Sequence, residues 1–303
     1  MLTLRQQAPA MRMQQRHFER RRVQQTVFCR QLAVQAVRSL YQELTLYPKP
    51  GLVSLVDNGS HEDMNASIFM QSLFALRHYF RAIAQAAMAG ASFGELKALG
   101  IAAETRMLHA TGGINTHRGA IFCLGMLCAA IAACQAQHIA LTAPAIRAVL
   151  LIEWGADLAA HTAPEAHACG SHGLRATAQH ALGGAREEAA QGFPALFEIA
   201  LPQLHSTLAA GRDWQCAKVD ALFALMAHLS DTNVLHRGGK AGATLVRTHS
   251  QAFLAAGGTA DAGWLAKARQ THDCFVQQRL SPGGAADLLA ATCLLHAVCQ
   301  VQA

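Results

Sequence analysis

The hydrophobic positions of this chain recur at helical spacing from about residue 26 to the C-terminus. In the first such segment Val27, Leu32, Val37 and Leu40 recur at this spacing, and the pattern ends before Pro48. A second helix is predicted over Phe69, Leu73, Leu76, Phe80 and Ile83, and others over residues 95–110, 119–137, 143–162, 172–182, 194–209, 214–229, 240–256, 261–278 and 285–301. No segment alternates polar and apolar residues over more than a few positions. The pattern therefore predicts an all-α fold of ten helices or more.

The composition agrees with a helical globular chain. It is 52% hydrophobic and 15% charged, with only 6% aromatic residues, and alanine and leucine dominate. No Pro-rich or Ser-rich linker interrupts residues 26–303. We therefore predict one multi-helix domain over residues 26–303.

The positive charge is concentrated at the N-terminus. Most of the formal net charge of +6 comes from residues 1–22, whose arginines face Glu19 as the sole acid. These arginines are Arg5, Arg12, Arg16, Arg20, Arg21 and Arg22. We predict that residues 1–25 form a basic, flexible extension. We expect no nucleic-acid partner, because the other arginines are not interleaved with aromatic residues.

Cysteine usage and hydropathy indicate the cellular location. The chain has nine cysteines and no Cys-x-x-Cys pair, which is typical of a reducing compartment. Its longest uncharged apolar run, residues 119–134, is shorter than the roughly 20 residues of a membrane span and predicts a core helix. The N-terminal segment lacks the apolar stretch of a secretory signal. We expect a cytoplasmic protein that does not bind membranes.

Six short segments combine glycine with charged or amide side chains. They are Tyr47–Val53, Asp57–Met64, Thr111–Gly119, Gly183–Glu188, Asp231–Gly239 and Ser281–Asp287. Glycine allows sharp turns and close approach of the backbone to a ligand. Together with lysine, arginine and carboxylates, this composition suits a polyanion with its metal ion. We therefore predict that these helix-connecting loops converge on one cleft that forms an active site.

The cations, amides, hydroxyls and glycines of these segments are candidate phosphate ligands. Lys49 lies on a turn stiffened by two prolines, and Arg118 can clamp a phosphate at a helix N-terminus. The full set is Lys49, Gly51, Thr111, Gly112, Gly113, Asn115, Thr116, Arg118, Arg186, Arg237, Gly238, Gly239, Ser281, Gly283 and Gly284. The order of residues is not that of a P-loop. Each of these turns has an ordinary structural explanation as well.

Carboxylates and histidines of the same segments are candidate ligands for Mg²⁺, which prefers oxygen. They are Asp57, His61, Asp63, Asp231 and Asp287. Helix capping is the alternative for the aspartates. A separate cluster of His161, Glu165, His167, Cys169 and His172 matches no zinc-binding spacing.

In its ordered motifs the chain resembles the triphosphoribosyl-dephospho-CoA synthase family. These read Pro-Lys-Pro-Gly-Leu-Val, Asn-Gly-Ser-His-x-Asp-Met, Thr-Gly-Gly-x-Asn-Thr-His-x-Gly-Ala-Ile-Phe, Gly-Ala-Arg-x-Glu, Asp-Thr-Asn-x-x-x-Arg-Gly-Gly and Ser-Pro-Gly-Gly-x-Ala-Asp-Leu-Leu-Ala. The resemblance covers residues from about 40 to 295. The sequence of residues 47–57, Tyr-Pro-Lys-Pro-Gly-Leu-Val-Ser-Leu-Val-Asp, resembles the malonate decarboxylase branch of the family more than the citrate lyase branch.

This resemblance implies a pentosyl transfer with ATP and 3′-dephospho-CoA as substrates. The 5-triphosphoribosyl group of ATP would move to the 2′-hydroxyl of dephospho-CoA, and adenine would leave. The product would be passed to a separate transferase that attaches it to the acyl-carrier subunit of malonate decarboxylase. Mg²⁺ would accompany ATP.

The catalytic residues expected for this chemistry are carboxylates and a histidine. A carboxylate would stabilise the oxocarbenium-like transition state or accept the hydroxyl proton. Glu104 and Glu187 are the preferred candidates, ahead of Asp63 and Asp231. His117, or alternatively His61, would protonate the departing adenine.

Three alternatives stay open at this point. The same reaction can serve citrate lyase. A Mg²⁺-dependent ribosyl hydrolase would use water in place of the hydroxyl acceptor, and a non-catalytic ATP-binding assembly protein would need no surplus carboxylates. The sequence also leaves the oligomeric state open, a homodimer included.

Overall fold

The computed structural model describes the backbone of residues 4–162 and 184–300 and the side chains of residues 20–161 and 184–300. Over these residues the chain is all α, with eleven helices and no strand. The helices are α1 Leu4–Leu44, α2 Ala66–Met88, α3 Phe93–Ala110, α4 Arg118–Ala136, α5 Ala143–Thr162, α6 184–190, α7 Leu201–Ala209, α8 Trp214–His228, α9 Thr232–Ala255, α10 Trp264–Gln277 and α11 Gly283–Gln300. A π-helical turn, Ala195–Ala200, leads into α7, and a 3₁₀ turn, Gly258–Ala260, follows α9.

Helix α4 lies at the centre of the protein. Nearly every residue from Ala120 to Cys134 is buried, and α1, α2, α3, α5 and α11 pack around it. A helix that is apolar on all sides is stable only when it is enclosed in this way. By length and composition alone α4 and α11 could each cross a membrane, but 78% and 56% of their apolar windows are buried inside the protein. The prediction of a core helix for residues 119–134 is confirmed.

Side-chain caps set several of the helix starts. The Asn65 carboxamide accepts a hydrogen bond from the Ile68 amide at 3.0 Å at the start of α2. At the start of α3, Ser92 and Glu95 form a capping box, in which each side chain binds the backbone amide of the other residue. These caps satisfy amides that have no partner within the helix. They fix where the intervening segments begin and end.

Two of the glycine-containing segments are helical where the sequence predicted loops. Residues 232–239 form the first turns of α9, which is kinked at Gly239 (φ 58°, ψ −157°). The segment Gly183–Glu188 is helical from residue 184. Asp231 caps α9 because its carboxylate accepts from the Asn233 amide at 2.9 Å. The predicted helix over residues 172–182 and the cluster Glu165, His167, Cys169 and His172 lie outside the described residues.

Helix α1 passes through the boundary predicted at residue 25 without a break in secondary structure. The side chains of residues 20–26 are exposed, and α1 joins the core from Cys29 onward. Arg21 makes a contact near the outer end of this stretch, with the ring of His138 at 3.2 Å. A flexible extension over residues 1–25 stays a prediction.

Candidate active site

A cavity of about 460 Å³ opens between the ends of several helices. This volume is typical of a small-molecule site. Ten residues predicted for the site line it, nine as ligands and His117 as a catalytic residue: Lys49, His61, Asn115, Thr116, His117, Arg118, Arg237, Ser281, Gly283 and Asp287. They come from five of the six glycine-containing segments, and the segment that begins at residue 183 contributes none. The predicted convergence on one cleft therefore holds for five segments and not for the sixth, which does not line this cavity.

The ion pair of Glu43 and Lys49 is buried at one side of the cavity. The Lys49 ammonium donates to a Glu43 carboxylate oxygen at 2.5 Å and to the Glu43 backbone carbonyl at 3.1 Å, and only 1% of Lys49 is exposed. The sequence predicted Lys49 on a stiff turn, and nothing in the Pro-Lys-Pro-Gly motif indicated its burial. An ammonium has three N–H donors. Two of them bind Glu43, which leaves one for a ligand in the cavity.

His117 is buried in the cavity wall at the start of α4. Its Nδ1 lies 2.6 Å from the Ser72 hydroxyl, and its ring packs edge-on against Phe69 with centroids 4.9 Å apart. Burial, followed by the positive charge of Lys49, lowers the pKa of His117 to about 3. The ring is therefore neutral near pH 7. An imidazolium that protonates adenine, as expected from the sequence, does not fit this environment.

Two buried polar atoms in this wall lack hydrogen-bond partners within the described residues. They are the hydroxyl oxygen of Thr116 and Nε2 of His117. Buried polar atoms in proteins are nearly always paired. Because both residues line the cavity, a ligand there is the natural source of the missing partners.

Arg118 reaches the cavity while held by Glu104. Its Nε donates to a Glu104 carboxylate oxygen at 2.6 Å, and a second guanidinium nitrogen lies 2.6 Å from the same atom. Burial lowers the pKa of Arg186, and the negative charge of Glu104 opposes that effect. Glu104 does not line the cavity itself. It forms an ion pair with Arg118, and its negative charge acts on Arg186. It is placed to orient Arg118 rather than to touch a substrate.

His61 is fully engaged by its neighbours. Arg237 donates to His61 Nδ1 at 3.1 Å, so the proton of the neutral ring is on Nε2, which lies 2.8 Å from the Ser281 hydroxyl. Burial and the charge of Arg237 lower the pKa of His61 to about 4, against a smaller raising effect of Asp63. Neither ring nitrogen is open to a metal ion. The Asp63 side chain is 63% exposed and does not line the cavity.

The carboxylate of Asp287 lies at the N-terminus of α4. A Cβ atom at Gly119 would lie 2.0 Å from its Oδ2, so only glycine allows this approach. Burial raises the pKa of Asp287 well above its usual value, Glu43 and Asp231 raise it further, and the Ala120 amide opposes them. The helix end that the sequence predicted as a phosphate site thus already holds a carboxylate.

A second cavity of about 30 Å³ adjoins the first beside Asp287. Its size suits a single water molecule. It is lined by Gly184, Glu188 and Gly284, and also by Asp231, which binds the Asn233 and Ala285 amides. The segment from residue 184 therefore meets the site through Glu188. Glu187, a predicted catalytic residue, is exposed and lines neither cavity.

The five predicted metal ligands do not form a metal site of their own. Asp57 binds the Gly59 amide at 2.9 Å and lies 3.4 Å from His272, away from the cavity. No group of three or more His, Cys, Asp or Glu side chains in the described parts of the chain could hold a metal ion. Mg²⁺ commonly takes one or two carboxylates and completes its shell with phosphates and water. Asp287, with Glu43 facing the same cavity, fits that more limited role.

The remaining predicted glycines and Thr111 support the loops. The Thr111 hydroxyl donates to the Ile114 carbonyl at 2.5 Å, and Gly112 and Gly113 form an exposed turn with positive φ. A Cβ at Gly51 (φ 69°) would lie 2.1 Å from the Leu280 carbonyl oxygen. Gly51 thus allows two loops to pack, rather than a ligand to approach. Gly238 and Gly239 likewise do not line the cavity.

Several cavity residues were missed by the sequence reasoning. They are Leu40, Glu43, Leu52, Val53, Met64, Phe69, Thr232, Asn233, His236, Ala286 and Ala290. Leu40, Phe69, Ala286 and Ala290 are apolar residues of helices, so their periodicity indicates only a core position. Glu43 lies near the end of α1, outside any glycine-containing segment. Thr232 and Asn233 lie in the segment Asp231–Gly239, which the sequence analysis had already identified.

The amino-acid sequence of this chain is similar to those of one enzyme family. Residues 29–303 match the CitG family, described as ATP:dephospho-CoA triphosphoribosyl transferase. A probable 2-(5''-triphosphoribosyl)-3'-dephosphocoenzyme-A synthase of Pseudomonas putida is 42% identical over 274 residues, covering 87% of this chain and 93% of that protein. The protein of the same name from Acinetobacter calcoaceticus is 40% identical over 254 residues, covering 84% and 86%.

A Klebsiella pneumoniae protein named 2-(5''-triphosphoribosyl)-3'-dephosphocoenzyme-A synthase is 40% identical over 275 residues. The alignment covers 88% of this chain and 94% of that protein. No solved structure is significantly similar to the chain.

Proposed function

Because this chain belongs to the ATP:dephospho-CoA triphosphoribosyl transferase family, we propose that its cavity is where the 5-triphosphoribosyl group passes from ATP to 3′-dephospho-CoA. The chain is an enzyme, a pentosyltransferase. In this reaction the bond between ribose C1 and adenine N9 breaks and a bond from C1 to the 2′-oxygen of dephospho-CoA forms. The 2′-hydroxyl loses a proton and adenine leaves with one, so the reaction balances.

The observation that carries the proposal is the combination of groups in one cavity. Three cations, Lys49, Arg118 and Arg237, and two carboxyl groups, Glu43 and Asp287, line it together with apolar side chains. Cations are needed for a triphosphate and carboxylates for a sugar that becomes cationic at C1. Apolar surface is needed for a base and for the rest of the second nucleotide.

The arginines are suited to hold the triphosphate still while the glycosidic bond breaks. Arg118 is fixed by Glu104, and Arg237 is fixed by His61 and by the Ser60 carbonyl at 3.1 Å. Pre-oriented guanidinium groups lose little entropy when they bind phosphate. We propose Asp287 as the protein ligand of Mg²⁺, which when bound would neutralise phosphate charge.

Glu43 is our candidate for the base that accepts the hydroxyl proton. Of the carboxylates predicted for this role, Asp63 and Glu187 are exposed, Glu104 is bound to Arg118, and Asp231 caps α9. Glu43 lines the cavity and is held in place there by its ion pair with Lys49. The role thus moves to a residue that no motif marked.

The carrier that receives the product is proposed to belong to malonate decarboxylase. The support is the wording of residues 47–57, which resembles that branch. The product would pass to a separate transferase. Incubating that product with the apo carrier subunit of malonate decarboxylase or of citrate lyase, each with its own transferase, tests the choice. We also propose a cytoplasmic location, because all of the described cysteines are free, as is typical of a reducing compartment.

Adenine release tests the reaction. The enzyme with ATP and Mg²⁺ should release adenine only when 3′-dephospho-CoA is present, and a heavier CoA-like product should appear by mass spectrometry. Adenine without the acceptor would mean a ribosyl hydrolase. Bound ATP and no adenine in either reaction would mean an ATP-binding assembly protein. Omitting Mg²⁺ should abolish the release.

A further inference from the structure

The hydrogen bond between Ser72 and His117 joins α2 to the first residues of the cavity wall. Ser72 is fully buried in α2, and its hydroxyl lies 2.6 Å from His117 Nδ1. That hydroxyl has no other hydrogen-bond partner in the described parts of the chain, the preceding turn of α2 included. Ser72 therefore depends on His117 alone.

The lack of a second partner determines where the ring proton lies. If Nδ1 carried the proton and donated to Ser72, the hydroxyl hydrogen would be buried with no acceptor. Leaving a buried donor unpaired is costly, whereas a hydroxyl oxygen tolerates an unused lone pair. The Ser72 hydroxyl therefore donates to Nδ1. In the neutral ring the remaining proton is on Nε2.

The Nε2 proton has no acceptor among the described residues. Nε2 is buried and unpaired, and the residue lines the cavity while only 3% of it is exposed. The structure thus contains a neutral N–H donor, held by one hydrogen bond and by the edge contact with Phe69. Such a donor is complete only when something in the cavity accepts its hydrogen bond.

We propose that Ser72 is a positioning residue that holds His117 as the Nε2–H tautomer, so that His117 donates a hydrogen bond to a purine nitrogen of ATP as adenine departs. This inference rests on the proposed function of the cavity. Phe69, whose ring contacts His117, and Met64 also line the cavity and provide apolar surface for a flat base. A purine nitrogen gains electron density as the glycosidic bond breaks, so the hydrogen bond strengthens in the transition state.

The proton stays on His117 throughout. His117 stabilises the leaving group by a hydrogen bond, and the proton that adenine finally carries comes from solvent. A neutral histidine that serves as a donor in this way needs a fixed tautomer. Ser72 is the only described group that fixes it.

The first test reads the tautomer directly. ¹⁵N-histidine NMR near neutral pH, with the His117 resonances assigned by their loss in His117→Gln, should show a neutral ring protonated at Nε2. A ring protonated at Nδ1, or an imidazolium, would overturn the inference. This reading needs no substrate, so it fails or succeeds independently of the proposed reaction.

The second test is kinetic. Ser72→Ala should lower kcat for adenine release by about tenfold or more with little change in KM for ATP, the size of effect that partners of catalytic groups usually have. Ser72→Thr, which keeps the hydroxyl, should recover part of that loss. Ser250→Ala removes a similarly buried helical hydroxyl outside the cavity and serves as the matched control.

The outcomes separate the two proposals. If the Nε2–H tautomer is present and Ser72→Ala shifts it, but kcat is unchanged, His117 does not assist the departure of adenine and the inference fails. If no adenine is released by the unaltered enzyme, the proposed function fails instead. In the His117→Gln background, Ser72→Ala should have no further effect on kcat, because Ser72 acts through His117.

Discussion

Glu43 and Lys49 show how one buried pair decides the character of the cavity. Both side chains are almost completely buried, at 6% and 1% exposure, and they face the cavity together. The cost of burying the lysine charge is offset only by its partner. The sequence motif predicted the lysine but not the glutamate, because Glu43 lies six residues earlier within a regular amphipathic helix. A helix face indicates burial and not the identity of an ion-pair partner.

Glu43→Gln should destabilise the fold, because it leaves the Lys49 charge buried without its counter-charge. We expect a loss of about 3–5 kcal/mol in the free energy of unfolding, measured by urea denaturation. In the double variant Glu43→Gln/Lys49→Met much of the stability should return while adenine release stays absent. Glu62→Gln, at a 91% exposed side chain, is the control and should change little. Unaltered stability in Glu43→Gln would contradict the buried pair.

His61 should make the stability depend on pH. Its folded-state pKa of about 4 lies below the ordinary value of 6.5 because burial and Arg237 disfavour the charged ring. Unfolding at acid pH therefore takes up a proton, so this contribution is complete above pH 6.5 and is lost as the pH falls from about 6.5 to 4. Urea denaturation at pH 7 and pH 5 should show a larger loss for the unaltered protein than for His61→Gln. Equal losses would mean that His61 titrates normally.

At the scale of helices, the pattern of apolar positions predicted α2, α3, α4 and α5 close to their observed bounds. These helices have long apolar faces, and α2 and α3 also have side-chain caps at their N-termini. The start of α9 was missed because Asp231-Thr232-Asn233 has the composition of a loop, although it is a cap followed by a first turn. Glycines near Gly239 strengthened the wrong reading. Capping residues and loop residues are the same types, so composition alone does not separate them.

Asp231 joins two helices, and its removal should cost more than the loss of an ordinary cap. Its two carboxylate oxygens accept from the Asn233 amide of α9 and the Ala285 amide of α11. Asp231→Asn keeps the shape, whereas Asp231→Ala leaves both amides unpaired and should lose about 2–4 kcal/mol of stability. Asp213→Ala, which removes an exposed cap from α8 alone, should lose about 1 kcal/mol. Similar losses in the two alanine variants would contradict the bridging role.

At the scale of the whole molecule, the convergence of the glycine-containing segments was predictable. Charged and amide residues recur at many helix ends, and one cavity is lined by ten of the residues predicted for the site. Which side chains face that cavity was not predictable. Glu187 and Glu188 are neighbours in sequence, but only Glu188 faces the site, because rotation about α6 separates them by roughly 100°. Such details depend on how helices dock, and a single sequence does not record docking.

Because α4 is enclosed by other helices, we expect different parts of this enzyme to open at different rates. Amide hydrogens of a helix covered on all sides exchange with solvent only when the molecule opens as a whole, whereas those of exposed turn residues such as Gly112 and Gly113 exchange through local fluctuation. His117, Arg118 and Gly119 belong to the first turn of α4 and its cap, so one wall of the cavity is tied to the slowest-opening part of the protein. The wall contributed by residues 52–64 is made of turns. We therefore expect amide hydrogen exchange to be slower in the wall formed by the start of α4 than in the wall formed by residues 52–64.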